Sequence, residues 1–369
     1  MTVYKSLKEE DRVSTKTLLH EAIPITGTIV SGTYGIKNIQ NYSHGMFQSV
    51  YDYPFLSSSA NHIFDISFGF HSASALYAAA TNQKAKKNNI YNQMAQVLMG
   101  YNKDGEIQRF DADGDISAGG AKIEEAIFIP FSRLLSKDEI KKGSFSMTIG
   151  TSASYTQDTD VFDQLVTIAD VGAINSYRIN SPAGEYGILY ATGAFGVLDH
   201  ASPHKTTAPG STNPYWPAGL IYYQAGIVVL TSSVFMGSSD EGFLLSGSCQ
   251  FFDATTTLTG SLISEQISGS ADGLRNRIQN IQFNNTIELN STVYFCRIKH
   301  NEFNYSSNPT YLSGSQIRVK SQIDDPPISY ITSLGLYSSD NQLLAVGKFS
   351  EPIRKDSNIE LTCRARVDY

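Results

Sequence analysis

The sequence is poor in charge, in tryptophan and in cysteine. Charged residues make up 17% of the 369 residues and there is one tryptophan, whereas average chains carry roughly 25% charged residues. The three cysteines, Cys249, Cys296 and Cys363, cannot all pair within one chain, and no CxxC or Cys/His cluster accompanies them. This pattern argues against a structural zinc site and favours reduced, buried thiols in a protein that folds in the cytosol.

Long apolar runs are also missing. The most apolar stretch, 221–236, is interrupted by Gln224, Gly226 and hydroxyl residues. It is short for a membrane helix, and its β-branched residues predict one or two buried strands instead. The first ten residues are polar and lack the apolar region of a signal peptide. We therefore expect no membrane partner and assembly in the cytoplasm.

An excess of positive charge is absent. The formal net charge is -7, and nonspecific nucleic-acid binding needs a basic surface that releases counterions. The densest basic run, Lys84, Lys86 and Lys87, lies on a predicted helix and is interpreted as its solvated face. We expect no direct nucleic-acid partner.

Catalytic motifs are missing as well. The sequence contains no HExxH, GxSxG, Walker or GxGxxG pattern. Asp199-His200, Ser202 and His204 supply triad residue types, but a Pro-rich loop does not hold triad geometry, so solvated loop residues are the preferred interpretation. The carboxylate doublets Glu124-Glu125 and Asp324-Asp325 are interpreted as flanking strands, although acid pairs for glycoside hydrolysis form in space and not in sequence. We predict no catalytic residues, no cofactor and no enzyme activity.

One acidic stretch resembles the start of a calcium loop. Asp111, Asp113 and Asp115 alternate as in an EF-hand, but Ile116 and Lys122 stand where that loop needs Gly and Glu. A polar turn is the preferred interpretation, an irregular calcium site is the alternative, and no metal ligand is predicted.

What the chain does contain is typical of strands and turns. It has 44 Ser, 26 Thr, 29 Gly, 21 Tyr and 19 Phe, residue types that favour pleated, half-buried surfaces and tight turns. The predicted fold class is mostly β (α+β), with antiparallel β-sandwich or barrel-like sheets and a few short helices in the N-terminal part.

Three segments are predicted to be helical. Residues 4–22 have a loose apolar stripe before Pro24, and residues 84–101 have apolar residues at helical spacing before Gly100. Ser136 and Glu139 form a capping-box pattern ahead of Gly143.

The remaining patterns predict strands and turns. Apolar and polar residues alternate over 145–149 and, without a break, over 359–369. Asp104-Gly105 and Asp113-Gly114 predict turns. Further strands are predicted at 186–198, at 293–298, and at 328–337 and 342–350, the last two joined by a turn into a hairpin.

The Pro-rich segment 199–219 is predicted to be a loop or linker that carries Trp216. Tyr215 and Trp216, with Tyr222 and Tyr223, could stack sugars, although a core or interface role is preferred. The predicted domains are a helical arm (1–24), a mixed α/β domain (25–143), a β-rich domain (144–290) and an antiparallel β domain (291–369).

Several segments resemble a known family. They are LLHEAIPITGTIVSGTYG (18–35), FQSVYDYPFLSSSANHIFD (47–65), NQMAQVLMGY (92–101), NEFNYSSNPTY (301–311), PISYITSLGLYSSDNQLLAVGKFSEPIRK (327–355) and LTCRARVDY (361–369). They are similar to virion structural proteins of contractile-tailed bacteriophages, of the type found with marine and cyanobacterial hosts. The similar segments are spread over both ends and the middle of the chain, and none of them contains a catalytic motif.

The resemblance implies a structural role in the virion tail, in the baseplate, with other virion proteins and copies of the same chain as partners. A neck, collar or other connector subunit and a receptor- or glycan-binding tail module are the alternatives. The low charge fraction agrees with a surface that is covered by neighbours. We expect residues 1–24 to dock on a neighbouring subunit, and the 359–369 strand or its hairpin to join a sheet near a subunit contact.

Overall fold

The fold was analysed in a computed structural model of the chain. It describes residues 4–21, 38–114, 122–135, 138–151, 162, 164–193, 206–207, 214–237, 243–244, 250–251, 255–306, 308–314, 316–318, 320, 322 and 324–369. Among these residues, no helix is both long enough and apolar enough to cross a membrane.

Strands dominate the described residues. In chain order they are β1 Arg12–Glu21, β2 Ile39–Asn41, β3 Gln48–Tyr51, β4 His62–Phe70, β5 Phe110–Asp111, β6 Lys122–Ile123, β7 Glu125–Pro130, β8 Glu139–Ile140, β9 Ser146–Gly150, β10 Leu165–Ala169, β11 Arg178–Ser181, β12 Gly184–Gly193, β13 Thr206–Thr207, β14 Pro214–Tyr222, β15 Ile227–Thr231, β16 Ile278–Gln282, β17 Asn285–Ile298, β18 Leu312–Ser313, β19 Gln316–Ile317, β20 Ser329–Tyr337, β21 Leu343–Lys355 and β22 Leu361–Asp368. The α-helices are α1 Ala75–Ala79, α2 Lys84–Leu98, α3 Ala173–Ser176, α4 Leu258–Ser264 and α5 Ile267–Arg277.

The chain divides into two compact units. Residues 20–287 form one, called here the central unit, and residues 1–19 with 288–369 form the other, called the terminal unit. The chain therefore leaves the terminal unit near its start and returns to it inside β17.

The central unit is built on one large antiparallel sheet. Its strand order is β16-β9-β10-β12-β14-β15-β7-β4-β3-β2, with β11 beside β12 and β13 beside β14. Within the described residues the order has two free ends, so the sheet is open. The predicted fold class, mostly β with antiparallel sheets and a few short helices, is confirmed.

The middle strands of this sheet are buried on both faces. Along β7, Ile127 and Ile129 belong to one core cluster, while Ala126 and Phe128 belong to another. The first cluster also takes apolar residues from α4 and α5, and the second takes them from α2. Since successive side chains of a strand point to opposite faces, the sheet lies between two layers of apolar packing.

Helix α2 confirms the prediction for 84–101. It ends before Gly100, whose φ of 77° lies in the left-handed region. The helix packs closely on β4 at Gly69, where an added Cβ would lie 2.7 Å from the Lys87 carbonyl oxygen. A glycine is therefore needed for this approach of helix to strand.

The helix predicted over 4–22 is wrong. Residues 9–11 form one turn of 3-10 helix and Arg12–Glu21 is a strand, β1, which neighbours β17 of the same chain. Val13, Thr15 and Thr17 alternate with polar residues, a β pattern that the loose helical stripe obscured. The described part of the expected N-terminal arm thus belongs to the sheet of its own chain.

Two further predictions are wrong. Glu139 starts strand β8, which pairs with β17, so no helix follows the capping-box pattern; residues 136–137 lie outside the described residues. Residues 214–219 belong to strand β14 and not to a loop. Pro217 fits there because the register with β12 shifts beside it, opposite Leu189 and Tyr190, and proline is tolerated at such irregularities.

The other strand predictions agree with the structure. Strands β9, β12 and β17 cover most of the segments predicted at 145–149, 186–198 and 293–298, of which residues 194–198 lie outside the described residues. Strand β22 covers residues 361–368 of the segment predicted at 359–369. Strands β20 and β21 form the predicted hairpin. Gly105 and Gly114 have positive φ angles, as the predicted turns require.

The predicted domain boundary at 143/144 does not exist, because β7 before it and β9 after it belong to the same sheet. The helices were predicted to lie in the N-terminal part, but α3, α4 and α5 all follow residue 143. The passage between the units at 287–288 lies close to the boundary predicted at 290/291.

Candidate assembly surface

The most exposed apolar surface of the terminal unit lies on the β20–β21 hairpin, called here the C-terminal hairpin (329–355). Its turn is closed by the Ser338 amide, which donates to the Gln342 carbonyl at 2.9 Å, and by Asn341, whose φ is 61°. The two strands form a separate two-stranded sheet. The hairpin is therefore closed by a hydrogen-bonded turn, and no third strand extends it among the described residues.

The base of this hairpin is anchored by a buried lysine. Lys355 Nζ donates to the His300 carbonyl at 3.0 Å, to Asn304 Oδ1 at 2.6 Å and to the Asp356 carbonyl at 2.7 Å. On the facing strand, the Ser329 hydroxyl donates to the Phe303 carbonyl. These bonds fix the base of the hairpin to the segment 300–304.

The far end carries apolar side chains that face solvent. Leu343, Leu344 and Val346 are 53%, 70% and 64% exposed, and Tyr337 is exposed as well. The register shifts from Leu336 opposite Ala345 to Tyr337 opposite Leu343, so Leu344 is an extra residue in its strand. Such a bulge twists a strand and re-aims its side chains.

Strand β22 provides a second exposed element. It lies at one end of the order β1-β17-β22, and its outward face carries Arg364 and Arg366. The Arg366 Nε atom donates to Asp368 Oδ1 at 2.7 Å and to Ser291 Oγ at 2.8 Å. The wet face predicted from the alternation is thus present at a sheet edge, the kind of edge that pairs with another chain.

The acidic stretch predicted as a turn is tied to a lysine. Asp111 is buried and its Oδ2 lies 3.0 Å from Lys122 Nζ. Burial raises the pKa of Asp111, and the ammonium of Lys122 opposes that rise. Asp115 lies outside the described residues, and no group of His, Cys, Asp and Glu within them has the arrangement of a metal site. The lysine stands at the position where a calcium loop needs its glutamate.

A polar cleft of about 910 Å³ lies beside this stretch, in the central unit. Its walls include His71, Asn102, Glu106, Arg109 and Lys122. Burial and the charge of Arg109 lower the pKa of His71. Arg109 also binds Glu124, with 2.7 Å between the two charged groups. The charged residues that line the cleft carry both signs, which does not single out a ligand class.

The other carboxylate candidates have structural partners. Glu124 faces Arg109, whereas Glu125 on the opposite side of the chain accepts from the hydroxyls of Ser74 and Ser232. Asp325 Oδ2 accepts from the Gln322 amide at 2.9 Å. The two carboxyl groups of the Glu124-Glu125 doublet therefore serve different partners. The triad residue types Asp199, His200, Ser202 and His204 lie outside the described residues.

The aromatic residues weighed as a sugar-stacking face are core residues. Trp216 is 2% exposed, and Tyr222 and Tyr223 are fully buried. Tyr222, at the end of strand β14, belongs to one core cluster, and Trp216 in that strand and Tyr223 just after it belong to the other. The side chain of Tyr215 lies outside the described residues. The preferred interpretation, a core role, is confirmed for the three described side chains.

The basic run on α2 is only partly a solvated face. Lys84 Nζ lies 4.0 Å from the ring centroid of Tyr77, and Lys86 Nζ donates to the His44 carbonyl at 2.6 Å. Lys87 is fully buried and donates to the carbonyls of Leu262 and Glu265, at the end of α4. The solvated interpretation of Lys87 is wrong, because this ammonium satisfies carbonyls that the helix leaves without partners.

Sequence reasoning missed a buried polar cluster under β12 and β14. Lys142 Nζ lies 3.0 Å from Glu139 Oε1 and 2.7 Å from Glu185 Oε2. Nearby, Tyr223 donates to Asp170 Oδ2 at 3.2 Å, and the amides of Gly143 and Phe145 donate to the same carboxyl. Burial raises the pKa of Asp170 to about 7 although these donors oppose the rise. Nothing in the sequence brings residues 139–142, 170, 185 and 223 together.

Comparison with protein-family models, with curated proteins and with solved structures finds no match for this chain. Functional inference therefore depends on the surface described above and on the family resemblance noted from the sequence.

Proposed function

We propose that this chain is a structural subunit of a tailed bacteriophage virion, located in the tail baseplate and held there by protein–protein interfaces. Its partners are other virion proteins and copies of itself. The observation that carries the proposal is the C-terminal hairpin, a two-stranded sheet with an anchored base and exposed apolar side chains at its far end.

The physics of a two-stranded sheet supports a covered hairpin. An isolated hairpin is marginally stable in water, and independent stability normally needs a third strand or packing on an apolar face. Burial of Leu343, Leu344 and Val346 against a neighbour stabilises the complex by about 25 cal/mol per Å² of apolar area that is removed from water. An assembly interface supplies both the packing and the burial.

The distribution of the family resemblance points to the same region. Its longest segment, 327–355, spans the C-terminal hairpin, and another, 361–369, spans strand β22. Both elements are exposed parts of the terminal unit. We infer that the segments most similar to virion proteins include the parts of this chain that contact neighbours.

The burial of Trp216 removes the aromatic face that the receptor- or glycan-binding alternative needed. A neck or collar position remains the alternative within the structural class. It differs from a baseplate position in the neighbours and the symmetry around the subunit, so one map of the whole particle distinguishes them.

Electron cryo-microscopy of intact particles tests the proposal. We expect the chain in several symmetry-related copies in the baseplate, with the far end of the C-terminal hairpin packed on a neighbour. A hairpin that remains in solvent in every copy would contradict the interface, and absence of the chain from purified particles would contradict the structural role.

A pair of substitutions gives a matched solution test. Leu344→Ser removes apolar surface from the hairpin, and Leu56→Ser removes it from an 86% exposed position of the central unit. Both substitutions should change the free energy of unfolding of the isolated chain by less than about 0.5 kcal/mol, because neither side chain is buried there. Only Leu344→Ser should lower the copy number in assembled particles, measured by quantitative mass spectrometry. Equal incorporation of both variants would argue against this surface.

A further inference from the structure

Two of the three cysteines face each other across a strand pair. Cys296 in β17 and Cys363 in β22 are direct partners in an antiparallel register that runs without a shift from Ser291–Asp368 to Ile298–Leu361. Directly opposed residues in such a pair point to the same face of the sheet. Both thiols are free, with Cys296 half-buried and Cys363 buried.

The type of strand pair follows from the end of the ladder. Asn290 and Tyr369 exchange both backbone bonds, at 3.0 and 2.8 Å. Hydrogen-bonded and non-hydrogen-bonded pairs alternate along an antiparallel ladder. Cys296 lies an even number of residues from Asn290, so Cys296 and Cys363 form a hydrogen-bonded pair. Their Cα atoms are then about 5.5 Å apart.

This spacing allows a disulfide at some conformational cost. Disulfides span Cα separations of roughly 4.4 to 6.8 Å, which includes the spacing of this pair. Their Cβ atoms lie roughly 3.5 to 4.5 Å apart, whereas hydrogen-bonded pairs have Cβ atoms near the wide end of about 4.5 to 5.5 Å. Closing the bond must draw the strands slightly together, and strained disulfides are the ones that thiols reopen easily.

We propose that Cys296 and Cys363 are a reversible redox pair that closes into a strand-to-strand disulfide and fastens the last strand of the chain to β17. The inference does not depend on the proposed virion role. Both cysteines belong to the terminal unit, and the closed loop would contain the whole C-terminal hairpin.

The chemistry is thiol–disulfide exchange with a small-molecule disulfide such as oxidised glutathione. The more exposed Cys296 attacks as thiolate, breaks the disulfide of the oxidant and releases one glutathione thiolate. Cys363 then attacks the Cys296 sulfur and releases the second. The two cysteine sulfurs lose two electrons in total, the oxidant gains them, and the two thiol protons go to the solvent.

The electrostatics of the thiols agree with this proximity. Burial raises the pKa of Cys296, and the neighbouring Cys363 raises it further. Burial also raises the pKa of Cys363. Both shifts favour the protonated thiol near neutral pH, so the attacking thiolate is the minor form there.

The test uses the full chain carrying Cys249→Ser, since Cys249 lies outside the described residues. The folded protein is equilibrated with oxidised and reduced glutathione at graded ratios, alkylated and digested. We expect peptide mass spectrometry to find Cys296 linked to Cys363, with loss of two hydrogen atoms, and mild dithiol treatment to reverse it. Two glutathione adducts without a link, or two free thiols at the most oxidising ratio, would overturn the proposal.

Single substitutions provide the matched controls. Cys296→Ser and Cys363→Ser should each leave one thiol that yields only a glutathione adduct, while circular dichroism shows an unchanged fold. Hydrogen exchange supplies a structural readout. In the protein that keeps both cysteines, the amides of β22 should exchange at least about tenfold more slowly after oxidation than before it, because the bond restricts opening of that strand. Unchanged exchange despite a closed link would overturn the fastening role.

Discussion

The two units of the molecule differ in how they are held together. Both apolar core clusters of the described residues lie within the central unit. In the terminal unit the buried apolar side chains are Val293, Ile298 and Cys363. The same unit exposes a larger set of big apolar side chains, namely Tyr4, Leu7, Val13, Tyr305, Tyr330, Tyr337, Leu343, Leu344, Val346 and Tyr369.

This difference shows that the two units draw their stability from different interactions. The central unit gains its free energy from burial on both faces of its sheet. The terminal unit relies on backbone pairing and on polar anchors such as Lys355, and it keeps apolar surface available. Substitutions of equal chemistry should therefore have unequal effects in the two units.

The largest expected effect comes from a buried cation in the central unit. Arg277 is fully buried; its guanidinium donates to the carbonyls of Phe251 at 3.1 Å and Gly150 at 3.0 Å and lies against the Phe251 ring. Arg277→Met should lower the free energy of unfolding by about 3 to 5 kcal/mol, because buried carbonyls lose a charged donor. Hydrogen exchange at increasing urea concentrations measures the loss of unfolding free energy separately for each unit.

The control for Arg277→Met lies in the terminal unit. Arg12 is exposed and pairs with the exposed Glu9 at 3.4 Å, and exposed ion pairs contribute only about 0 to 1 kcal/mol. Arg12→Met should therefore cost less than about 1 kcal/mol. Similar costs for the two arginines would break the comparison between the units.

The next effect, on the order of a few kcal/mol, is a dependence of stability on pH that belongs to the central unit. The pKa of Asp170 is raised from 3.8 to about 7 by burial. Between these values the folded chain keeps a proton that the unfolded chain has lost, so stability falls as pH rises from about 4 to about 7 and levels off above. The measurement is the free energy of unfolding of wild type and Asp170→Asn across this range.

The difference between wild type and Asp170→Asn isolates this group from the other carboxyls. Asparagine loses one acceptor for the amides of Gly143 and Phe145, a cost that does not depend on pH. The stability advantage of wild type over the variant should therefore shrink as pH rises from 4 to 7. A constant difference would mean that Asp170 is ionised in the folded chain throughout.

The smallest effects come from adding one methyl group in each unit. A Cβ at Gly69 would lie 2.7 Å from the Lys87 carbonyl oxygen and 2.8 Å from the Tyr91 amide nitrogen, both backbone atoms. Gly69→Ala should cost about 1 to 3 kcal/mol, because α2 must move away from β4. Gly347 in the C-terminal hairpin has nothing within 4 Å of its Cβ position, so Gly347→Ala should be neutral or stabilise by up to about 1 kcal/mol. Thermal unfolding compares the two variants directly. A Gly69→Ala variant that unfolds at the wild-type temperature would contradict the close packing of α2 on β4.

Local patterns predicted the elements that carry a strong periodicity of their own. The alternation over 359–369 and the hairpin around 338–341 appear as β20, β21 and β22, and the helical spacing of Ile90 and Leu98 appears as α2. The exposed face that we assign to assembly could also be read in part, because Arg364 and Arg366 alternate with apolar residues. These are features that depend on residues close in sequence.

The failures share a cause in distant contacts. Residues 12–21 and 139–140 became strands beside β17, although their local patterns resembled helices. Pro217 entered a strand because the register with β12 shifts there. Lys87 became buried because α4 ends above it. In each case pairing or packing with a remote segment outweighed a weak local preference.

The sequence by itself determined the chemical character of this protein: a charge-poor, hydroxyl- and tyrosine-rich chain whose strongest periodicities are those of strands. The tertiary structure decided which strands lie between two apolar layers, which aromatic residues are core, and which apolar residues remain in solvent at the C-terminal hairpin. It also brought Cys296 opposite Cys363. The physical reason is that alternation fixes which side chains share a face, whereas the partner that covers a face is set by segments far away in the chain.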